Sequence, residues 1–128
     1  MKKVFAALSL GLLLSMGVSS NVSALSYSFW IPTPLLNSIQ STALNKKTST
    51  STPYVQPNAI TIPTAYFLSP TRYSSTTATN IVTKNTTSRT NLSWNSGYGG
   101  VGGTYCLSAY PNVSGSYNAY SATGTWDK

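Results

Sequence analysis

The stretch TYCLSAYPNVSGSYNAYSATGTWDK, residues 104–128, decides the fold class. Its first part, Thr104–Tyr110, is rich in aromatic and small apolar residues and predicts a strand, whereas Pro111–Gly115 has the composition of a turn. Further on, Tyr120 and Trp126 are six positions apart, an even number, so they lie on one face of a strand with a period of two. Two strands separated by a turn predict a β domain.

The same pattern continues upstream. Short β-branched and aromatic runs at residues 59–68, 80–84 and 89–94 predict further strands, and segments rich in Gly, Pro and Asn separate them. Pro63 restricts the first run to an edge strand or to two short pieces. The sequence therefore predicts an all-β fold, a small antiparallel sandwich or barrel, over residues 59–128.

Residues 25–58 precede this domain as a Ser/Thr/Pro-rich N-terminal arm. LSYSFWI at 25–31 alternates and predicts a strand. Residues 34–47 show the apolar spacing of a short amphipathic helix, with two lysines at the C-terminal end, where the helix dipole favours them. Residues 48–58 are polar and interrupted by prolines, which predicts a linker.

The N-terminus predicts export. Two lysines follow Met1, the apolar run Val4–Val18 comes next, and Val22–Ala24 supplies the small residues that signal peptidase cuts. The apolar run is shorter than the roughly 18–20 residues that span a bilayer. Residues 1–24 are thus predicted to be a cleaved signal peptide of a secreted, extracellular protein. An uncleaved membrane anchor is the alternative.

The composition excludes most enzyme chemistry. The chain has no histidine, so it cannot build a Ser-His-Asp or Cys-His system, and its single acid cannot form the carboxylate pair of a glycosidase. One cysteine and one acid do not make a conventional metal site. A Ser-Lys dyad on Lys84 would require a buried, neutral lysine. The sequence predicts a non-enzymatic protein with no catalytic residue, cofactor or metal.

The charge favours anionic partners. Eight Lys/Arg against one acid give a net charge of +7, which arises from the scarcity of acids and not from a basic cluster. Anionic lipid or cell-wall polymer is therefore a predicted partner, and nucleic acid is not. The alternative is that the charge serves only solubility. One candidate contact surface combines apolar and aromatic residues with a lysine pair, as suits a membrane interface: Phe29, Trp30, Ile31, Leu35, Leu36, Lys46 and Lys47. The alternative is that this segment packs on the core.

A second candidate surface consists of tyrosines, which stack on sugars when exposed but which an aliphatic-poor chain also needs for its core: Tyr98, Tyr105, Tyr110, Tyr117 and Tyr120. The lone Cys106 is either a buried small side chain or the site of an intermolecular disulfide.

GYGGVG at 97–102 matches the letters of a dinucleotide-binding G-x-G-x-x-G. A β sequence follows it instead of a helix, so it predicts a flexible hairpin loop joining two antiparallel strands.

From Thr71 onward the chain resembles a family of small secreted proteins of Gram-positive bacteria, the domain of unknown function DUF2712. The residues that carry the resemblance are Thr71–Tyr73, Thr90–Trp94, Tyr105–Ser108 and Ala122–Asp127. It implies a secreted β protein and no particular activity. The signal peptide and the Gly-x-Trp ending are also similar to the lactococcin 972-like bacteriocins, which implies antagonism through the cell envelope. The chain departs from those proteins in lacking histidine and most acids.

The sequence thus predicts a secreted, non-enzymatic β protein that binds at the bacterial cell envelope in a bacteriocin-like manner. The alternative is an extracellular structural or matrix-type protein that self-associates through its β edges and tyrosines.

Overall fold

The computed structural model describes residues 24–32 and 39–128, which form a sandwich of two antiparallel sheets with no helix in those ranges. The all-β prediction is confirmed. The predicted signal peptide and the residues Leu35 and Leu36 lie outside the described residues, apart from Ala24. The strands are β1 (Leu25–Ile31), β2 (Gln40–Ser41), β3 (Asn45–Lys46), β4 (Tyr54–Pro57), β5 (Thr64–Ser69), β6 (Val82–Lys84), β7 (Thr90–Asn91), β8 (Thr104–Pro111) and β9 (Tyr120–Asp127).

The four-stranded sheet has the order β1-β9-β4-β7. Strand β9 lies in its interior and pairs with β1 along seven residues, from Leu25 opposite Trp126 to Ile31 opposite Tyr120. On its other side β9 pairs with β4. The first strand has the bounds that the alternation of LSYSFWI predicts.

The second sheet has the order β2-β8-β5-β6, and β3 also pairs with β8. Strand β8 pairs with β5 from Pro111 opposite Thr64 to Cys106 opposite Ser69. Although β8 and β9 are consecutive in the sequence, they belong to different sheets. The turn after β8 therefore carries the chain across the sandwich.

Aromatic residues fill much of the core between the sheets. The ring of Tyr27 lies 5.3 Å from that of Phe29 and 5.5 Å from that of Tyr66 in the opposite sheet. The Tyr27 hydroxyl donates to the Tyr66 hydroxyl at 3.2 Å, and the Tyr120 hydroxyl is 2.7 Å from Thr64 Oγ1. A core built from tyrosines must satisfy its hydroxyl groups, and these two pairs do so across the sheets.

The outer side of the five-stranded sheet is also covered. The side chains of Cys106 and Ser108 point outward from β8, yet both residues are fully buried. The segment after β5 lies on this side: Cys106 Sγ is 3.7 Å from the Thr71 carbonyl oxygen, and the Tyr73 N–H donates to the Ser41 hydroxyl, which itself lies 2.8 Å from Ser108 Oγ. This sheet is therefore packed on both faces, whereas the four-stranded sheet keeps one face open.

Two predictions for the arm are wrong. Residues 39–47 form β2 and β3 instead of the C-terminal half of a helix, because apolar residues spaced along a short segment also suit two brief edge strands. The predicted linker contains β4, an interior strand whose Val55 is fully buried. Pro53 and Pro57 lie just before β4 and at its last residue, where a proline is tolerated. Strands β1 to β4 thus complete the sheets of the predicted β domain.

Pro63 similarly precedes a strand. Strand β5 begins at Thr64 and lies between β8 and β6, so it is an interior strand. Neither alternative drawn from Pro63 is correct, because the strand is not at an edge and residues 59–62 form no second piece.

Candidate binding surface

The open face of the four-stranded sheet carries an exposed tryptophan, Trp30, which belongs to β1. Strand alternation turns Ser26, Ser28 and Trp30 outward, and Trp30 is 63% exposed. The intervening Phe29 and Ile31 point into the core and are buried. Of the aromatic and apolar residues predicted to form a contact surface on β1, only Trp30 reaches the solvent.

Rows of hydroxyl groups surround this indole. On β9, Ser121, Thr123 and Thr125 lie directly opposite Trp30, Ser28 and Ser26. Neighbouring strands are about 4.8 Å apart and successive outward residues about 6.6 Å apart, so the hydroxyl groups form a regular array. Strand β4 adds Gln56 opposite Thr125. We call this surface the Trp30 face: Ser26, Ser28, Trp30, Gln56, Ser121, Thr123 and Thr125.

The chemistry of the Trp30 face is that of a sugar-binding platform. It combines one exposed ring with short hydroxyl and amide side chains, and none of its seven members is charged. The C–H side of a pyranose ring is apolar and packs on an aromatic face, while its hydroxyl groups both donate and accept hydrogen bonds, as do those of Ser and Thr. A flat platform of this kind suits an extended chain of sugars.

The predicted lysine pair is split. Lys46 is exposed, whereas Lys47 is 2% exposed, its ammonium donating to the Ser51 carbonyl at 3.1 Å and lying 5.4 Å from the centre of the Trp94 ring. Burial lowers the pKa of Lys47, the nearby Asp127 carboxylate opposes that shift, and Lys128 reinforces it. The surface predicted from the sequence is therefore not assembled, because its Phe29, Ile31 and Lys47 are buried.

A polar cluster lies where β9 ends. The Ser51 hydroxyl is within hydrogen-bond distance of Asp127 Oδ2 (3.3 Å) and of the Lys128 carbonyl (3.2 Å), and the Lys128 N–H donates to Asp127 Oδ1 at 2.8 Å. Asp127, the last residue of β9, is itself buried.

Sequence reasoning also missed the pair that Arg89 forms with Tyr54. The Arg89 guanidinium lies 3.8 Å from the centre of the Tyr54 ring and covers it, so the arginine is exposed and the tyrosine is buried. Strand β4 supplies the tyrosine and the residue before β7 supplies the arginine. No local sequence pattern links two positions so far apart.

The glycine-rich segment is not a hairpin loop, because it connects β7 in one sheet with β8 in the other. Gly99 lies against the Trp94 ring so closely that a Cβ would sit 2.5 Å from the ring, and its N–H donates to the Tyr105 hydroxyl at 2.9 Å. The Gly102 N–H donates to the Lys47 carbonyl at 2.8 Å. These glycines allow close packing and positive φ angles.

The candidate tyrosines do not form one patch. Tyr105 and Tyr120 are buried, and Tyr110 lies on the outer side of the five-stranded sheet. There it borders a cavity of about 300 Å³ that is lined by Ile39, Phe67, Ser75, Ile81 and Tyr110. This cavity and the Trp30 face lie on opposite sides of the sandwich.

The single thiol is enclosed. Cys106 is fully buried and its Sγ lies 3.5 Å from the Ser69 carbonyl. A disulfide to another molecule would require the segment over this side of the sheet to open. The surroundings favour the interpretation of Cys106 as a buried small side chain.

Lys84 is buried among hydroxyl groups. Its ammonium donates to Thr90 Oγ1 at 2.6 Å and to Ser88 Oγ at 3.3 Å. Because β6 and β7 belong to different sheets, the contact between Lys84 and Thr90 ties the sheets together.

Within the described ranges, no helix is long and apolar enough to cross a membrane.

A scan against protein-family models, a search of curated proteins and a search of solved structures each gave no match. The two family resemblances drawn from the sequence stay predictions.

Proposed function

We propose that the protein is secreted and binds polysaccharide of the bacterial cell envelope through the Trp30 face, without catalysing a reaction. The observation that supports this most directly is the 63% exposure of Trp30 on a sheet face whose outward residues are uncharged and mostly bear hydroxyl groups. The apolar surface of an exposed tryptophan is in contact with water in the free protein, which is unfavourable, and a stacked sugar would remove part of that surface from water. Binding to the envelope of a competitor would make the protein bacteriocin-like.

Polysaccharide is a better partner than lipid for this surface. A helix or strand that enters a membrane interface presents several apolar side chains together with basic residues. Here Phe29 and Ile31 face the core, Lys47 is buried, and the neighbours of Trp30 are hydroxyl-bearing. One indole provides an anchor for a sugar ring but little area for insertion into lipid.

The experiment compares Trp30→Ala with Tyr73→Ala for binding to purified cell-wall fragments of a Gram-positive bacterium, measured by co-sedimentation. Tyr73 is 61% exposed, so it is a matched aromatic control outside the Trp30 face. We expect Trp30→Ala to weaken binding about tenfold or more, as the loss of a central aromatic anchor does, and Tyr73→Ala to bind like the parent. Both variants should unfold within about 0.5 kcal/mol of the parent, because both side chains are exposed.

Two results would overturn the proposal. Equal affinity of the parent and Trp30→Ala for the wall fragments would remove the Trp30 face from binding. Binding of the parent to anionic phospholipid vesicles but not to wall fragments would assign the protein to the membrane instead.

Self-association is a second candidate function, because β1 ends the strand order of its sheet. It is a seven-residue strand without charged residues or proline, and an edge of this kind pairs readily with another chain. Sedimentation velocity across a range of concentrations tests this candidate. Ser28→Lys, a charge in the middle of the edge strand, should abolish any growth in mass. A parent protein that stays monomeric at every concentration refutes it.

A further inference from the structure

The Trp30 face continues along β9 to a second exposed group. Trp30 lies opposite Ser121 of β9, and Tyr54 lies opposite Asp127 of β9, both on the outward side of the sheet. Ser121 and Asp127 are six positions apart along β9, which corresponds to about 20 Å. The Arg89 guanidinium, stacked on Tyr54, therefore lies at the end of the platform opposite the indole.

The Tyr54 ring restricts this guanidinium, whose central carbon lies 3.8 Å from the centre of the ring. An arginine that lies flat on an aromatic ring keeps its N–H donors in the plane of the stack, where they form a fork that matches a carboxylate or a phosphate. Arg89 is exposed, and covering Tyr54 holds its side chain in place before any ligand arrives. Such preorganisation reduces the entropy lost on binding.

The surrounding charge is positive. Lys47 interacts electrostatically with Asp127 and with Lys128, and Asp127 lies beside Tyr54 in the sheet. With Arg89, the side chains gathered here are three basic groups and one carboxylic acid. Asp127 is buried and hydrogen-bonded to Ser51 and to the Lys128 N–H. The exposed member of the cluster is the arginine, so an approaching ligand meets positive charge.

We propose that Arg89 and Tyr54 form an acid-recognition subsite, and that the polymer bound by the Trp30 face is an acidic glycan. One sugar of the glycan stacks on Trp30, and a carboxylate or phosphate substituent about four pyranose rings away, at the 20 Å separation, pairs with the Arg89 guanidinium. This inference rests on the proposed function, because it assigns the class of polymer to the same face.

The test measures the affinity of the folded protein for three soluble ligands by calorimetry: a neutral N-acetylglucosamine hexamer, a galacturonate hexamer and a phosphomannan oligosaccharide. Arg72→Gln is the matched control, because Arg72 is also an exposed arginine stacked on a tyrosine, Tyr73, at 4.7 Å, but it lies on the connection over the other sheet. Arg89→Gln and Arg72→Gln change the net charge equally.

We expect one acidic ligand to bind about five- to tenfold more tightly than the neutral one, in line with one charge-assisted pair at a surface. The better of the two acidic ligands identifies the substituent as a carboxylate or a phosphate. Arg89→Gln should abolish this preference by weakening the binding of the acidic ligand, whereas Arg72→Gln should retain the preference. Arg89→Lys, which keeps the charge but loses the planar fork, should retain only part of the preference.

The outcomes separate the two proposals. If Arg89→Gln and Arg72→Gln lose the preference for the acidic ligand equally, the effect is one of overall charge, and the subsite is overturned. A parent protein without preference for either acidic ligand would also overturn it, and a loss of neutral binding in Trp30→Ala would still support the proposed function. If Trp30→Ala binds all ligands like the parent, the proposed function fails and the inference fails with it.

Discussion

Gly124 is the position at which one added methyl group should disturb the sandwich most. It lies in the interior of β9, opposite Tyr27 on one side and Pro57 on the other. A Cβ at this position would lie 2.6 Å from the Tyr27 hydroxyl oxygen and 2.7 Å from the ring carbon that bears it, and it would also collide with the Gln56 carbonyl oxygen. Since a backbone atom is involved, the strands themselves must shift.

The expected cost of Gly124→Ala follows from these contacts. Overpacking a closely packed core costs about 1–3 kcal/mol. Displacing the buried Tyr27 ring also breaks its hydrogen bond to the Tyr66 hydroxyl, which contributes about 1 kcal/mol. The sum, about 2–4 kcal/mol, is a large part of the stability of a domain of this size. It corresponds to a fall in Tm of about 10–30 °C.

Urea unfolding followed by tryptophan fluorescence measures this change. Gly100→Ala is the control, because a Cβ at Gly100 would have no atom within 4 Å, and it should stay within about 0.5 kcal/mol of the parent. The double variant Tyr27→Phe/Gly124→Ala should be less destabilised than the sum of the single variants, since both remove the same hydroxyl contact. Equal stability of Gly124→Ala and Gly100→Ala would refute the close approach of Tyr27 to β9.

Two further predictions concern buried groups. Burial raises the pKa of Tyr27, Tyr66 and Tyr120, so the folded state keeps protons that the unfolded chain loses near pH 10. The free energy of unfolding should therefore fall as the pH rises above 10, by up to about 1.4 kcal/mol per pH unit for each tyrosine. The lowered pKa of Lys47 acts in the opposite sense below pH 10.5, where it makes the free energy of unfolding rise with pH. Urea unfolding of the parent and of Tyr27→Phe at a series of pH values checks these signs, because the stability of Tyr27→Phe should decline less steeply above pH 10. An equal decline in both proteins would contradict the raised pKa of Tyr27. The buried Cys106 thiol should react with a thiol reagent on the order of a hundredfold more slowly in the folded protein than in urea. Rapid labelling of the folded protein would contradict this expectation and would show that the segment around Thr71, which covers the thiol, opens freely.

Local alternation allowed several strands to be predicted. The period of two in LSYSFWI sets both the bounds of β1 and the burial of Tyr27 and Phe29. The same regularity places Tyr120 and Trp126 together in the core. In these stretches every second residue is apolar or aromatic and no proline interrupts, so sequence pattern and tertiary packing agree.

The remaining features depend on contacts between distant residues. Residues 39–47 have a spacing that fits a helix, but pairing with β8 determines their conformation. Strand β4 is hidden between two prolines and is recognised only through its pairing with β9. Trp30 was a candidate contact residue from the sequence, but the hydroxyl groups beside it come from β9, about 90 residues downstream. A binding surface made from both ends of the chain leaves no local signature.

The interior position of β9 also determines when the chain can fold. Both neighbours of β9, the strands β1 and β4, precede it in the sequence, and β1 does so by about a hundred residues. During synthesis these two strands must therefore wait, with their aromatic side chains unpacked, until the residues up to Asp127 have been added. Sandwiches dominated by such distant pairings fold on the millisecond-to-second scale. The four-stranded sheet therefore cannot form before β9 has been made, and a chain that is still incompletely folded at that stage suits the proposed secretion.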